Sequence, residues 1–191
     1  VQFNLSVEET YSMKFSEWKT ASALKILLNS EEFNAENFDA FKSVNYPTLA
    51  NVGVYIKYND QHILKPNFKR LKVNTTLDNN IVVLRLFPGI SQKVIEATRS
   101  VHGLKAIVLE TYGAGNAPTE TWFLNEMQQA LDAGILILNI SQCRGGSVEM
   151  GKYETSLNLI NMGLINGRDM TIEAALTKLM WVLGTGVSQD E

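Results

Sequence analysis

Between Asn80 and Ser141 three almost unbroken apolar runs, IVVLRLF, LKAIVLE and ILILNI, alternate with segments of helical period. A strand that is apolar at every position, not at every second one, has to be buried on both faces. In a chain of this kind that means a parallel sheet with helices on either side. The punctuation agrees. The first run (81 to 87) stops at Pro88-Gly89, and Ser91 is placed to cap SQKVIEATRSV, whose Val94, Ile95, Thr98 and Val101 share one helical face. The second (104 to 109 and its edge) leads through GAGNAP into a helix from about Thr119 to Ala133, which Gly134 ends. The third (135 to 140) passes into the loop SQCRGGSVEMGKY, then a helix over TSLNLINM stopped at Gly163, and Thr171 caps a last helix, IEAALTKLMWVL.

Crossover connections between parallel strands are right-handed, so the alternation predicts an α/β fold, a small doubly wound parallel sheet. Ligands on such sheets collect at the carboxyl ends of the strands. GAGNAP and SQCRGG both belong there, on one edge. The first eighty residues carry a weaker pattern: an amphipathic helix around Phe15 to Leu28, an acidic Asn-rich stretch, a strand at VYIKY (54 to 58), and a loop or edge hairpin over KPNFKRLKVNTTLDNN. The expected organisation is an N-terminal remnant plus linker over 1–60 and a C-terminal α/β domain over 61–191.

Composition removes several functions. The chain has 191 residues, 45% of them hydrophobic and 19% charged, enough to close a core. Its formal charge of −3 contains no basic run, which argues against a nucleic-acid partner. No apolar stretch is long enough to span a bilayer, and VQFNLSVEETYSMKF lacks the order of a signal peptide, so no membrane partner is expected and the cytoplasm is the default compartment. Cys143 is the only cysteine and His62 and His102 the only histidines; no internal disulfide can form and a structural zinc site has too few donors. A chain opening on VQFN without an initiator methionine is expected to be processed or a fragment.

The two edge loops are the places for chemistry. GAGNAP offers two glycines and a following helix N-terminus, as a phosphate cradle would, but Pro118 stands where a third glycine is needed and no Lys or Ser/Thr follows in P-loop order. Asn116 can hydrogen-bond a small polar ligand, or merely tolerate left-handed backbone. Cys143 beside Arg144 reads as a nucleophile only with a base nearby, and no histidine follows His102; a buried free thiol is the plainer expectation. Both histidines read as solvated or capping, and Glu110, Glu120, Glu126 and Asp132 as helix-end and surface charge. Trp122 and Phe123 read either as contact surface or as ordinary core.

From Asn34 to Leu183 the chain resembles the C-terminal portion of bacterial cytoplasmic type I L-asparaginases. FDAFKSVNYPTLANVGVYI, VVLRLFPGIS, IVLETYGAGNAP, LNISQCRGG and DMTIEAALTKLM stand in that family's order and with its spacing. The resemblance implies hydrolysis of L-asparagine to L-aspartate and ammonia by a threonine nucleophile, no metal or organic cofactor, and a homo-oligomer with its site at a subunit contact. It also implies departures. The TGGTI and HGTDT motifs that carry the family's nucleophile and activating triad are absent from these residues, so no catalytic residue is assigned. Thr10 stands nearest to a serine that binds the substrate carboxylate in the family, and TASAL (20 to 24) resembles the stretch just after HGTDTM. Asn116 matches an asparagine that looks toward the neighbouring subunit's site. Cys143 matches a cysteine lining an effector site, and Glu110 replaces the arginine expected there, making both an effector-site remnant. Two readings follow: a truncated asparaginase, inactive alone, or a non-catalytic small-molecule-binding or oligomerisation domain derived from one.

Overall fold

The computed structural model describes residues 31–32, 41–42, 44–45, 47–52, 54–63, 75–151 and 154–186. The chain divides into two compact units, Val1–Asn74 and Thr75–Glu191. In the first, β1 (Glu31–Glu32) runs antiparallel to β2 (Phe41–Lys42), and β3 (Ala50–Val52) antiparallel to β4 (Ile56–Tyr58). The strand expected over VYIKY is therefore shortened to its last three residues. Val54 and Tyr55 sit in the turn before it, 93% and 80% exposed. Thr10, Thr20, Ser22 and the helix expected over Phe15 to Leu28 lie outside the described residues.

The second unit is built around four parallel strands in the order β5 (Ile81–Arg85), β6 (Ala106–Thr111), β7 (Leu136–Ser141) and β8 (Ile165–Asn166). Four helices accompany them: α1 (Gln92–Arg99), α2 (Thr121–Asp132), α3 (Glu154–Asn161) and α4 (Ile172–Thr185). Ile81 pairs with Ala106 and Ala106 with Leu136, so the three long strands are in step from their amino ends. All six residues of β6 are buried, as a central strand with cover on both faces requires.

Two apolar clusters account for that cover. On one face Leu84, Ile107, Leu109 and Ile137 pack with Ile95 of α1, Phe123, Met127 and Ala130 of α2 and Leu159 of α3. On the other, Ala106, Val108, Leu138 and Ile140 pack with Ala175 and Leu179 of α4. Each fully buried Leu, Ile or Phe contributes roughly 1.5–3 kcal/mol, so this alternation of faces supplies most of the driving force. Phe123 is 0% exposed and meets Trp122 edge-on at 5.9 Å; it is core, not contact surface.

Helix ends match the sequence in part. Thr171 caps α4 by accepting from the Ala174 N–H at 3.3 Å, and Gly134 and Gly163 take the left-handed backbone that stops the preceding helices. Ser91 occupies the N-cap position of α1 but makes no side-chain capping bond. Nor is the expected apolar face of α1 buried as a stripe: Ile95 is enclosed, while Val94 and Val101 are 41% and 47% exposed, because α1 has only eight residues and Val101 falls beyond its end.

Instead, α1 is fixed by charge. Glu126 of α2, expected on the surface, is buried and accepts from Gln92 Nε2 at 3.0 Å and Arg99 Nε at 3.2 Å. Its side chain is 3% exposed against 27% for Arg99. A buried carboxylate left with one neutral donor is costly, whereas replacing the whole pair by apolar groups is close to neutral. Arg99→Ala is expected to lose about 3 kcal/mol in urea unfolding, and the double variant Arg99→Met, Glu126→Met to recover most of it.

Candidate functional site

Because all four strands run the same way, everything that follows them emerges at one edge. The loop after β6 contains Tyr112 to Pro118, the loop after β7 runs from Gln142 to Gly151, and the turn after β8 spans Gly167 to Thr171. The expected strands are thus adjacent and parallel, with both candidate loops on the same side. β8, the fourth strand, went unforeseen, since two residues carry no periodicity.

The loops are tied together by hydrogen bonds. Ser141 Oγ donates to the Gly113 carbonyl at 2.6 Å and accepts from the Cys143 N–H at 3.0 Å. The Glu149 N–H reaches the Ala114 carbonyl at 2.9 Å, and the Val148 N–H reaches the Arg168 carbonyl at 2.7 Å. Within the first loop, the Gly115 and Asn116 N–H groups both donate to the Tyr112 carbonyl, and the Tyr112 N–H returns to Asn116 at 2.9 Å. Gln142 closes the ladder, its Nε2 donating to the carbonyls of Leu86 and Glu110 where β5 and β6 run out.

Two glycines are there for close approach. A Cβ on Gly115, whose φ is +111°, would stand 2.8 Å from Val148 Cγ1. One on Gly167 would stand 2.5 Å from Ile140 Cγ2 and 2.7 Å from the Asn139 carbonyl. Neither distance is tolerated by a real side chain. Arg168, next to Gly167, is the only non-glycine at positive φ among the described residues (53°), and Asn166 Oδ1 accepts from its N–H at 2.8 Å.

Of the residues singled out by sequence, Asn116, Glu110 and Cys143 come to this edge, and Thr10 lies outside the described residues. Asn116 is partly exposed in the first loop. Cys143 is exposed, not buried: it lies two residues past the end of β7, where the loop has already turned away from the core. Glu110 is also a correction. It is 8% exposed, because an even position on β6 points into the layer between sheet and α4 along with Ala106 and Val108. Glu120 and Asp132 are exposed as expected, as are His62 and His102. Sequence reasoning passed over Gln142, Ser141, Thr111 and Asn139, which hold the edge together; polar residues at strand ends carry no periodic signal.

Glu110 sets the electrostatics. Burial pushes its carboxyl above the ordinary value of 4.5; Arg85 opposes this, and Glu173 in the first turn of α4 pushes it further up. Arg85 is its register neighbour on β5, but the guanidinium stands 3.9 Å away and 63% exposed. Glu173 Oε2 is itself buried without a hydrogen-bond partner. Among the described residues no group of three or more His, Cys, Asp or Glu is arranged to hold a metal ion, and no helix is long and apolar enough to cross a membrane.

A parallel α/β sheet with interlocked loops at its carboxyl edge places this unit among the layered α/β domains. The family model described as the Glutaminase/Asparaginase C-terminal domain matches residues 80–191, and the chain belongs to that family. It is similar to L-asparaginase 1 of Escherichia coli (strain K12), 40% identical over 150 residues that make up 78% of this chain and 44% of that protein. The crystal structure of L-asparaginase I from Vibrio cholerae superposes with a TM-score of 0.77 at 36% identity, over 85% of this chain and 49% of the other. The 60 kDa lysophospholipase of Mus musculus is 38% identical over 152 residues, 79% of this chain and 27% of that one. The chain spans about half the length of these two asparaginases.

The raised Glu110 carboxyl fixes the sign of a pH effect. A carboxyl whose folded value lies above its unfolded one supports folding below the unfolded value, and that support is lost as pH rises through the folded value. Glu110→Gln is therefore expected to raise the urea midpoint at neutral pH, with the difference shrinking toward zero below the ordinary value of 4.5.

Proposed function

We propose that this chain supplies the C-terminal, loop-bearing part of an L-asparaginase, an amidohydrolase acting on L-asparagine to give L-aspartate and ammonia. Asn116 is the residue presented to substrate at a neighbouring subunit, and Thr10 contributes to the substrate carboxylate site. The protein works as a cytoplasmic homo-oligomer. The family membership and the convergence of three loops at one edge support this reading. The division into a remnant of the N-terminal asparaginase domain plus linker over 1–60 and a C-terminal α/β domain over 61–191 belongs to the same proposal.

The 191 residues alone do not turn over asparagine. One observation carries this: the Thr111 and Ser141 hydroxyls, at the ends of β6 and β7, already donate their protons within the edge. Thr111 Oγ1 donates to Asn139 Oδ1 at 2.7 Å and Ser141 Oγ to the Gly113 carbonyl at 2.6 Å, so the acceptors of both protons are an amide oxygen and a backbone carbonyl, neither of them a base. A hydroxyl nucleophile needs a base within reach, and positioned general-base help is worth about 10²–10⁴-fold. Ammonia release by purified, mass-verified chain is expected to stay at background. Robust release that vanishes in Thr10→Ala, Thr20→Ala or Ser22→Ala would overturn the proposal.

The effector position gives a second test. An incoming carboxylate at Glu110 meets a like charge, with Glu173 behind it, where a guanidinium would offer a bidentate partner. In a titration followed by amide chemical shifts, L-asparagine is expected to bind weakly or not at all near Glu110 and Cys143, and more tightly in Glu110→Arg. Tight, saturable binding at Glu110 in the unaltered chain would refute the assignment of an effector-site remnant.

A further inference from the structure

Asn139 is the polar residue that the fold does not account for. It lies near the end of β7, 0% exposed, on the face it shares with Ile137 and Leu109, both also fully enclosed. An apolar residue there would extend the cluster. The amide instead leaves its Nδ2 with no hydrogen-bond partner, a costly arrangement for a buried donor.

What surrounds that amide is the loop edge. Its Oδ1 accepts from Thr111 Oγ1 at 2.7 Å, which fixes the plane of the side chain. Its Nδ2 lies directly under Gly115, where an added Cβ would be 3.7 Å away. Its backbone carbonyl receives the Gly167 N–H at 2.8 Å. Asn139 therefore touches the stem of the first loop, the floor of that loop and the turn after β8. The residue after Gly115 is Asn116, bound with it to the Tyr112 carbonyl.

We propose that Asn139 is a positioning residue, which with Thr111 sets the height and tilt of the 112–118 loop and, through Gly115, the placement of Asn116. A planar amide is thin in one direction, so the Gly115 backbone can settle over it. A leucine of similar length carries its methyls to both sides of that plane and lifts the loop. This rests on the proposed function only in taking Asn116 as the ligand-facing residue; the geometric coupling is independent of any ligand.

The test uses the full, ¹⁵N-labelled chain without ligand. Amide hydrogen exchange is measured at Gly115 and Asn116 and, as reference, at Leu84 and Ile107, together with the Asn116 side-chain NH₂ cross-peaks. Asn139→Leu and Thr111→Val are expected to speed exchange at Gly115 and Asn116 by about tenfold or more, as local opening without global unfolding does, while the strand amides stay unchanged. The Asn116 side-chain peaks move in both. Thr111→Ser keeps the hydroxyl and retains the wild-type pattern. If Asn139→Leu does not fold, the Thr111→Val and Thr111→Ser pair decides alone. Unchanged loop exchange in Asn139→Leu, or Val and Ser behaving alike at position 111, overturns the proposal. Asparagine is absent throughout, so a failed asparagine titration would count against the proposed function and leave this result standing.

Discussion

Parallel pairing of β5, β6 and β7 is the constraint on which the C-terminal unit depends. A parallel neighbour cannot be reached by a tight hairpin; the chain has to cross back over the sheet, and it does so here with a helix each time. Right-handed crossovers in an unreversed strand order put α1, α2 and α3 all on one face, and α4, which follows β8, folds back to cover the other. The continuous apolar strands and the two clusters, one under α1 to α3 and one under α4, are the same fact seen in sequence and in packing. It also forces the loops of interest to one edge, which is why residues far apart in sequence, such as Gly113 and Ser141, or Ala114 and Glu149, come to bond each other.

At that edge the ladder has to stop, and side chains take over from backbone. Gln142 satisfies the Leu86 and Glu110 carbonyls, Ser141 satisfies Gly113, and Thr111 is paired with Asn139. A polar group enclosed without partners is expensive, so most of the edge is bonded. Glu110, Glu173 and Asn139 depart from that rule in different ways. Glu110 keeps a loose ion pair with an exposed Arg85, Glu173 has one buried oxygen without a partner, and Asn139 one buried nitrogen. Conflicts between local cost and global fold concentrate where a structure serves something other than its own stability. That all three lie at the carboxyl edge, and not at the opposite one, fits a binding role for this side of the sheet.

The sheet was legible because its signal is redundant. IVVLRLF, LKAIVLE and ILILNI are apolar throughout, and each is followed by a turn residue and a helical period, so strand, loop and crossover support one another. β8 lacked this redundancy, having two residues, both exposed. The errors at Glu110 and Glu126 share a cause: a charged residue was read by its type, whereas its burial followed from the parity of β6 in one case and from an Arg99 contact across helices in the other. Cys143 failed in the reverse direction, since an apolar preference was assigned to a position that the strand had already left. Asn116 was singled out through its glycine neighbours. Asn139 was hidden inside an apolar run, where an amide reads as noise until the loop above it is seen.

The same domain is matched by proteins named for asparaginase and for lysophospholipase activity, so the sheet and its loop edge do not specify one reaction. What the edge does specify is a rigid, partly polar platform. Two of its hydroxyls, Thr111 and Ser141, are committed to hydrogen bonds that hold the edge itself together. Charge is spread unevenly along that edge. Asn116 offers a neutral amide, whereas Glu110 and Glu173 place negative charge behind the edge with one distant guanidinium in opposition. A negative group brought to the second position would meet like charge, whereas the first carries none. The charge arrangement thus separates two positions that lie on one edge, a neutral one at the loop of Asn116 and an acidic one at Glu110, where Glu173 stands behind and the Arg85 guanidinium is mostly exposed.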